Sequence, residues 1–175
     1  MMRAESSVAT APCPWCGAQV PDIEGPIHRY MISSPGCWAT FGTVLEREYA
    51  NPTYARLHRL TVDAYAVQHP GESATEPLPA AIRSVCLHLI SLHAVLERRV
   101  EPAVATALLS KASQHRDWFH WLEPPASVGE VTVADVALAS SAEAHEEAVT
   151  RWAGSAWTAW QNHHATVATW VSKLL

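Results

Sequence analysis

The sequence predicts an all-α fold, a helical bundle behind a loop-rich N-terminal head. Two observations lead there. Pro12, Pro14, Pro21, Pro26 and Pro35 stand beside Gly17, Gly25 and Gly36 within residues 12–36, which excludes a long helix from that stretch. Beyond it apolar residues recur at helical spacing to the end of the chain. No run alternates with period two for more than a few residues, so strands are expected to be absent or tiny.

Taken in order, residues 1–11 read as a flexible, polar arm of small residues. Residues 12–175 read as one domain, with a head at 12–37 and the bundle at 38–175. Ser34-Pro35 is a cap followed by Pro at the first helical position, and predicts a helix to about Ala50. Asn51-Pro52 repeats the device for a helix ending before Pro70. Pro70-Gly71 through Pro79 reads as a loop. An apolar-periodic segment from about Ala80 to Arg99 follows, and Pro102 opens a shorter helix to about His115. Residues 122–131, with Pro124-Pro125 and Gly129, form a connection. Thr132-Val133-Ala134-Asp135 is a capping box with Asp in the usual Glu place. Ser141 caps a helix through about Gln161, and Asn162 marks either a further cap or a bend.

Composition bounds the function. A length of 175 residues with 49% hydrophobic and 17% charged positions supports a packed core without disulfide staples. The net charge of −5 argues against a general nucleic-acid binder, which needs a basic footprint. The stretch from Trp152 to Ser172 lacks Asp, Glu, Lys and Arg, yet Gln161, Asn162, His163 and His164 at its middle oppose a membrane span. No signal-peptide pattern opens the chain. The reading is a cytoplasmic protein with reduced thiols.

The clearest motif is Cys13-Pro14-Trp15-Cys16-Gly17. A tight turn with Gly at its end lets both sulfurs face one ion, and soft thiolates suit zinc, which takes four ligands in a tetrahedron. His28 and Cys37 are the nearby residues that complete the set. The head is then zinc-knuckle-like, with Cys13, Cys16, His28 and Cys37 as metal ligands. The fourth ligand is the weakest part of this assignment, since His28 can instead cap or pack while a distal His folds back onto the ion. A redox pair of the thioredoxin kind belongs in a strand-helix unit that is not seen here.

Helical wheels supply a second constellation. They place His58 and His69 on the inward arc of the 52–69 helix, with Tyr54, Thr61 and Tyr65. His93 and Cys86 fall in the apolar face of the next helix, with His88 at its edge. His145 and His163 lie on the inner face of the C-terminal segment, with His164 at the rim. For each His alone the plainer reading is a hydrogen-bonded core residue. Taken together, His58, His69, His93 and either His163 or His164 are expected to line one polar pocket. Asp63 falls opposite that arc, and reads as a solvated partner of Arg59 or Arg56 rather than as a group that orients a ligand His. Trp152, Trp157, Trp160 and Trp170 recur at helical spacing, as core or as a face for a partner.

The segments Ser33-Ser34-Pro35-Gly36-Cys37-Trp38, His58 through Pro70 (HRLTVDAYAVQHP) and Trp157 through His164, behind the CxxCG head, resemble an uncharacterised bacterial domain family. The resemblance spans nearly the whole chain after the arm. It implies a bacterial single-domain protein and brings no activity.

Two functions fit these residues. One is a zinc-dependent enzyme, hydrolase-like, acting on a small molecule through the inward His cluster. Its catalytic candidates are His58, His69, His93, His163, His164 and Asp63. The other is a non-enzymatic binding or regulatory protein in which zinc is structural and the Trp face meets a partner. A small-molecule substrate and a homodimer stay open as partners, while nucleic acid and membrane are not expected.

Overall fold

The computed structural model describes residues 9–71 and 77–175. Helical elements occupy 61% of the described residues, in seven α-helices and three 3-10 turns accompanied by a two-stranded antiparallel sheet. Strands β1 (Thr10–Pro12) and β2 (Gln19–Pro21) pair with Ala11 opposite Val20. Thr10 and Ala11, expected in the arm, are therefore part of this hairpin. Three-residue strands leave no alternation to detect, which is why the sequence pattern did not reveal them.

The first helix, α1 (Pro35–Ala50), begins as expected: Ser34 accepts the Cys37 N–H on its side-chain oxygen, satisfying a first-turn amide that has no partner within the helix. Gly36 is required there. A Cβ at this position would lie 1.9 Å from the Pro21 carbonyl oxygen, so only glycine lets α1 rest on β2. The expected helix from Pro52 is broken into a single 3-10 turn, Pro52–Tyr54, and then α2 (His58–Gln68). The helices α3 (Pro79–Leu96), α4 (Pro102–Ala112), α5 (Val133–Ala137), α6 (Ala142–Ala159) and α7 (His164–Leu174) follow. Thr132 and Asp135 form the reciprocal capping box, and Ser141 caps α6. A 3-10 turn at Gln161–His163 makes the break that Asn162 suggested. Most of the loop expected between Pro70 and Pro79 lies outside the described residues, as does nearly all of the arm.

The helix α2 is central, packed against α1, α3 and α6. Eight of its eleven residues are buried, on every side. Trp152, Trp160, Trp157 and Trp170 pack in the core of the helices rather than forming an exposed face. Trp152 Nε1–H donates to Gln68 Oε1, and the Gln68 amide donates to the carbonyls of Val128 and Val131. The polar edges of Trp152 and Gln68 thus have partners inside the core. By length and composition α3 could cross a membrane. Here it packs against α2, α4 and α7 and buries ten residues.

Candidate metal centre

The head, the start of α1 and the end of α2 meet at one point. There Cys13, Cys16, Cys37 and His69 bring one ligand atom each to within 4.8 Å of one another. Cys13 and Cys16 come from the turn after β1, closed by Gly17 at φ +74° with its N–H donated to the Cys13 carbonyl. Cys37 stands in the first turn of α1. His69 ends α2 just before Pro70, which cannot continue the helix. The residues are 2%, 7%, 0% and 1% exposed respectively, so all four donors are withdrawn from solvent.

The distances are short. Cys16 Sγ lies 3.8 Å from Cys37 Sγ, and His69 Nε2 lies 3.8 Å from Cys13 Sγ and 3.6 Å from Cys37 Sγ. The other imidazole nitrogen, Nδ1, is 2.7 Å from the Tyr65 carbonyl oxygen. A carbonyl only accepts, so Nδ1 carries the proton and Nε2 turns its lone pair to the sulfurs. The Ser34 N–H points at Cys13 Sγ, 3.5 Å away. Tyr65 backs the site: its ring stacks on Phe41 and lies 4.1 Å from the His69 ring, and its hydroxyl donates to Ser33.

Crowding dominates the thiol chemistry. Hydrogen bonding to Cys13 pushes the Cys16 thiol up to about 12 and raises Cys37 as well, with burial adding to both. Cys13 is lowered, chiefly by hydrogen bonds from Cys16 and Cys37. The three sulfurs cannot all be thiolates together without a cation among them. This donor set fits a metal ion.

His28, expected as the fourth ligand, stands outside this group. Its Nδ1 accepts the N–H groups of Met31 and Tyr30 at 3.2 and 3.4 Å, and its ring packs on Tyr30 and Trp38. It caps a turn in the head, the other role open to it. His69 takes its place, 32 residues beyond Cys37.

The remaining histidines do not converge with His69 on one pocket, and the Cys–His group is the single set with metal-holding spacing among the described residues. His58 bonds to Glu48 and Tyr49. His93 lies against Trp157, with its Nδ1 buried and without a partner. His163 donates to the Glu123 carbonyl, and His164 donates to the Trp157 carbonyl while stacking on that indole. Asp63 is fully buried rather than solvated. It accepts from Arg59, as expected, and also from His88 and Ser91 on α3. The wheel misjudged it because α3 packs over the side of α2 that carries Asp63.

Glu48 was not singled out in the sequence. It is buried near the end of α1 and bonds to Thr61, His58 and His145. Spacing alone gives no signal for it, since its partners are 10 to 97 residues away.

A family model described as a family of unknown function (DUF5946) matches residues 11–161. No curated protein and no solved structure matches the chain.

Proposed function

We propose, for a chain that belongs to this family of unknown function, that the protein is a zinc-stapled helical bundle with a zinc-knuckle-like head and that its zinc is structural. One observation carries the reading: the spacing of the four donors. Zinc–sulfur bonds of about 2.3 Å and zinc–nitrogen bonds of about 2.0–2.1 Å in a tetrahedron give sulfur–sulfur edges of about 3.8 Å and sulfur–nitrogen edges of about 3.6 Å. The Cys16–Cys37 edge of 3.8 Å and the Cys37–His69 edge of 3.6 Å match them.

Cys3His is a closed ligand set. Catalytic zinc keeps three protein ligands and an open position for water, and burial of all four donors argues against such a position. The dispersal of His58, His93, His163 and His164 removes the support for a second, catalytic ion. The zinc ties the proline-rich head, α1 and α2 into one unit, and its binding energy becomes folding energy. Thiolate ligands that must stay reduced also favour a cytoplasmic location.

The test is zinc per chain by elemental analysis, with cobalt substitution to report geometry. The expected result is one zinc per chain, intense thiolate-to-cobalt absorption, and loss of both in Cys16→Ser and His69→Ala. A metal-free protein with the same fold and stability would overturn the reading. So would a metal that exchanges freely while the fold stays intact.

A further inference from the structure

A second constellation lies at the other end of α1. The exposed Tyr49 hydroxyl is 3.0 Å from His58 Nε2. His58 Nδ1 is 2.9 Å from Glu48 Oε2. The other Glu48 oxygen accepts the Thr61 hydroxyl and, at 2.9 Å, His145 Nε2. His145 Nδ1 in turn faces the Arg47 guanidinium, which only donates. The direction of every bond follows. Arg47 makes His145 Nδ1 the acceptor, so Nε2–H donates to Glu48. The Glu48 carboxylate accepts from His58 Nδ1–H, and in the neutral ring this leaves Nε2 as the free base that takes the Tyr49 hydroxyl hydrogen.

This is the logic of an activated nucleophile: a hydroxyl within reach of a base whose far side is oriented by a carboxylate. Burial fits the division of labour. The Glu48 side chain is fully buried, His58 is partly open, and the Tyr49 residue is 73% exposed. Tyr49 and His58 open on a cleft of about 730 Å³ between α2 and the start of α4, lined also by Arg56, Arg59, Pro102 and Thr106. Arg56 and Arg59 are already paired with Glu146 and Asp63, so the cleft has no free cation from them for a highly charged ligand. Glu101, the residue that opens α4, adds a carboxylate to the lining, which opposes an anionic ligand.

We propose that Tyr49 is a nucleophile activated by His58 and oriented through Glu48, and that the cleft takes a small, uncharged acyl donor such as an ester. The Tyr49 oxygen bonds to the acyl carbon as the ester C–O bond breaks. The hydroxyl proton passes to His58 Nε2 and from there to the departing alkoxide or phenoxide oxygen. The product is an O-acyl-tyrosine, which water hydrolyses: the water oxygen bonds to the acyl carbon, His58 takes a proton from it, and that proton returns to the Tyr49 oxygen as the acyl–oxygen bond breaks. No metal, oxidant or reductant enters the balance, and the zinc reading is not needed for it.

The probe is p-nitrophenyl acetate with the full-length protein, followed by nitrophenol release and by mass spectrometry of the Tyr49 peptide. The expected result is acetylation of Tyr49 about a hundredfold faster than that of N-acetyltyrosine amide, the gain typical of a positioned base. His58→Gln, whose amide can still donate to Glu48, should lose that gain, and Tyr49→Phe should lose the labelled peptide. If Tyr49 in the unaltered protein reacts no faster than the free phenol, the proposal is overturned without recourse to any variant. It is equally overturned if His58→Gln, folded by circular dichroism, acetylates at the unaltered rate.

Discussion

The two ends of α1 solve the problem of buried polar groups in opposite ways. At its start, Cys37 joins Cys13, Cys16 and His69, where hydrogen bonding to Cys13 and burial hold two of the three thiols protonated. Eleven residues on, about 16 Å along the helix axis, Glu48 is as deeply buried but fully bonded by Thr61, His58 and His145. One end needs an ion from outside to become a charged centre. The other is complete with the chain's own side chains. The difference separates what a metal would be for from what the rest of the domain can do. The first end is closed on all sides, whereas the second reaches solvent through His58 and Tyr49.

The largest expected effect strikes the first end. Structural zinc contributes an apparent ~10–16 kcal/mol in small sites. Chelation, or Cys37→Ser, should therefore cost more than any other single perturbation. Residues 12–37 should lose amide-exchange protection before the core helices do, because the hairpin and its turn bury little beyond the ligands, Ala18 and Val20. Exchange that rises evenly over α3, α6 and α7 at the same time would mean that the head is not a separate dependency.

The next effect strikes the other end. Glu48→Ala leaves Thr61, His145 and His58 without their shared acceptor, and a buried donor left unsatisfied costs about 1–3 kcal/mol. Chemical denaturation should show that loss with the zinc content unchanged. Zinc loss in Glu48→Ala would show that the two ends are coupled through α1.

Much of this was legible in the chain and some was not, for physical reasons. Caps are local, so Ser34, Thr132 with Asp135, and Ser141 announced helix starts that the structure confirms. The three cysteines lie within one stretch of 25 residues, and their turn chemistry is local too. His69 was already placed inward, yet not beside the sulfurs. That juxtaposition depends on how α2 crosses the head, which periodicity does not encode. Asp63 and Glu48 were misjudged or missed for a related reason. A wheel assumes one wet side along the whole helix, whereas α2 is open only near its start, at His58, Arg59 and Val62. His28 shows the converse hazard: proximity in sequence favoured it over a His far along the chain.

The choice between those two histidines gives a smaller, sharper test. His28→Ala removes an acceptor for the N–H groups of Met31 and Tyr30, a loss of about 1 kcal/mol, and should leave one zinc per chain. A drop in zinc content comparable to that of His69→Ala would return His28 to the ligand set.

The smallest effect concerns a group that neither end of α1 uses. His93 lies on α3 against Trp157, and burial lowers its pKa from the ordinary 6.5, with Arg98 and His164 lowering it further and Glu97 opposing them. Its Nδ1 is buried without a partner, so protonation in place would strand a charge. The sign follows from proton counting. Below about pH 6.5 the unfolded chain takes up a proton that the native chain refuses, so stability falls as pH falls. The loss grows until the native pKa is reached and then stops, with a slope of at most about 1.4 kcal/mol per pH unit. Above 6.5 neither state is protonated there and the contribution is nil. His93→Leu should therefore leave stability at pH 8 nearly unchanged and lessen its decline between pH 6.5 and 5. Subtracting the two denaturation series isolates this residue from any acid release of metal, which both proteins would share. Parallel curves for the two proteins would show that His93 is not held neutral by its surroundings.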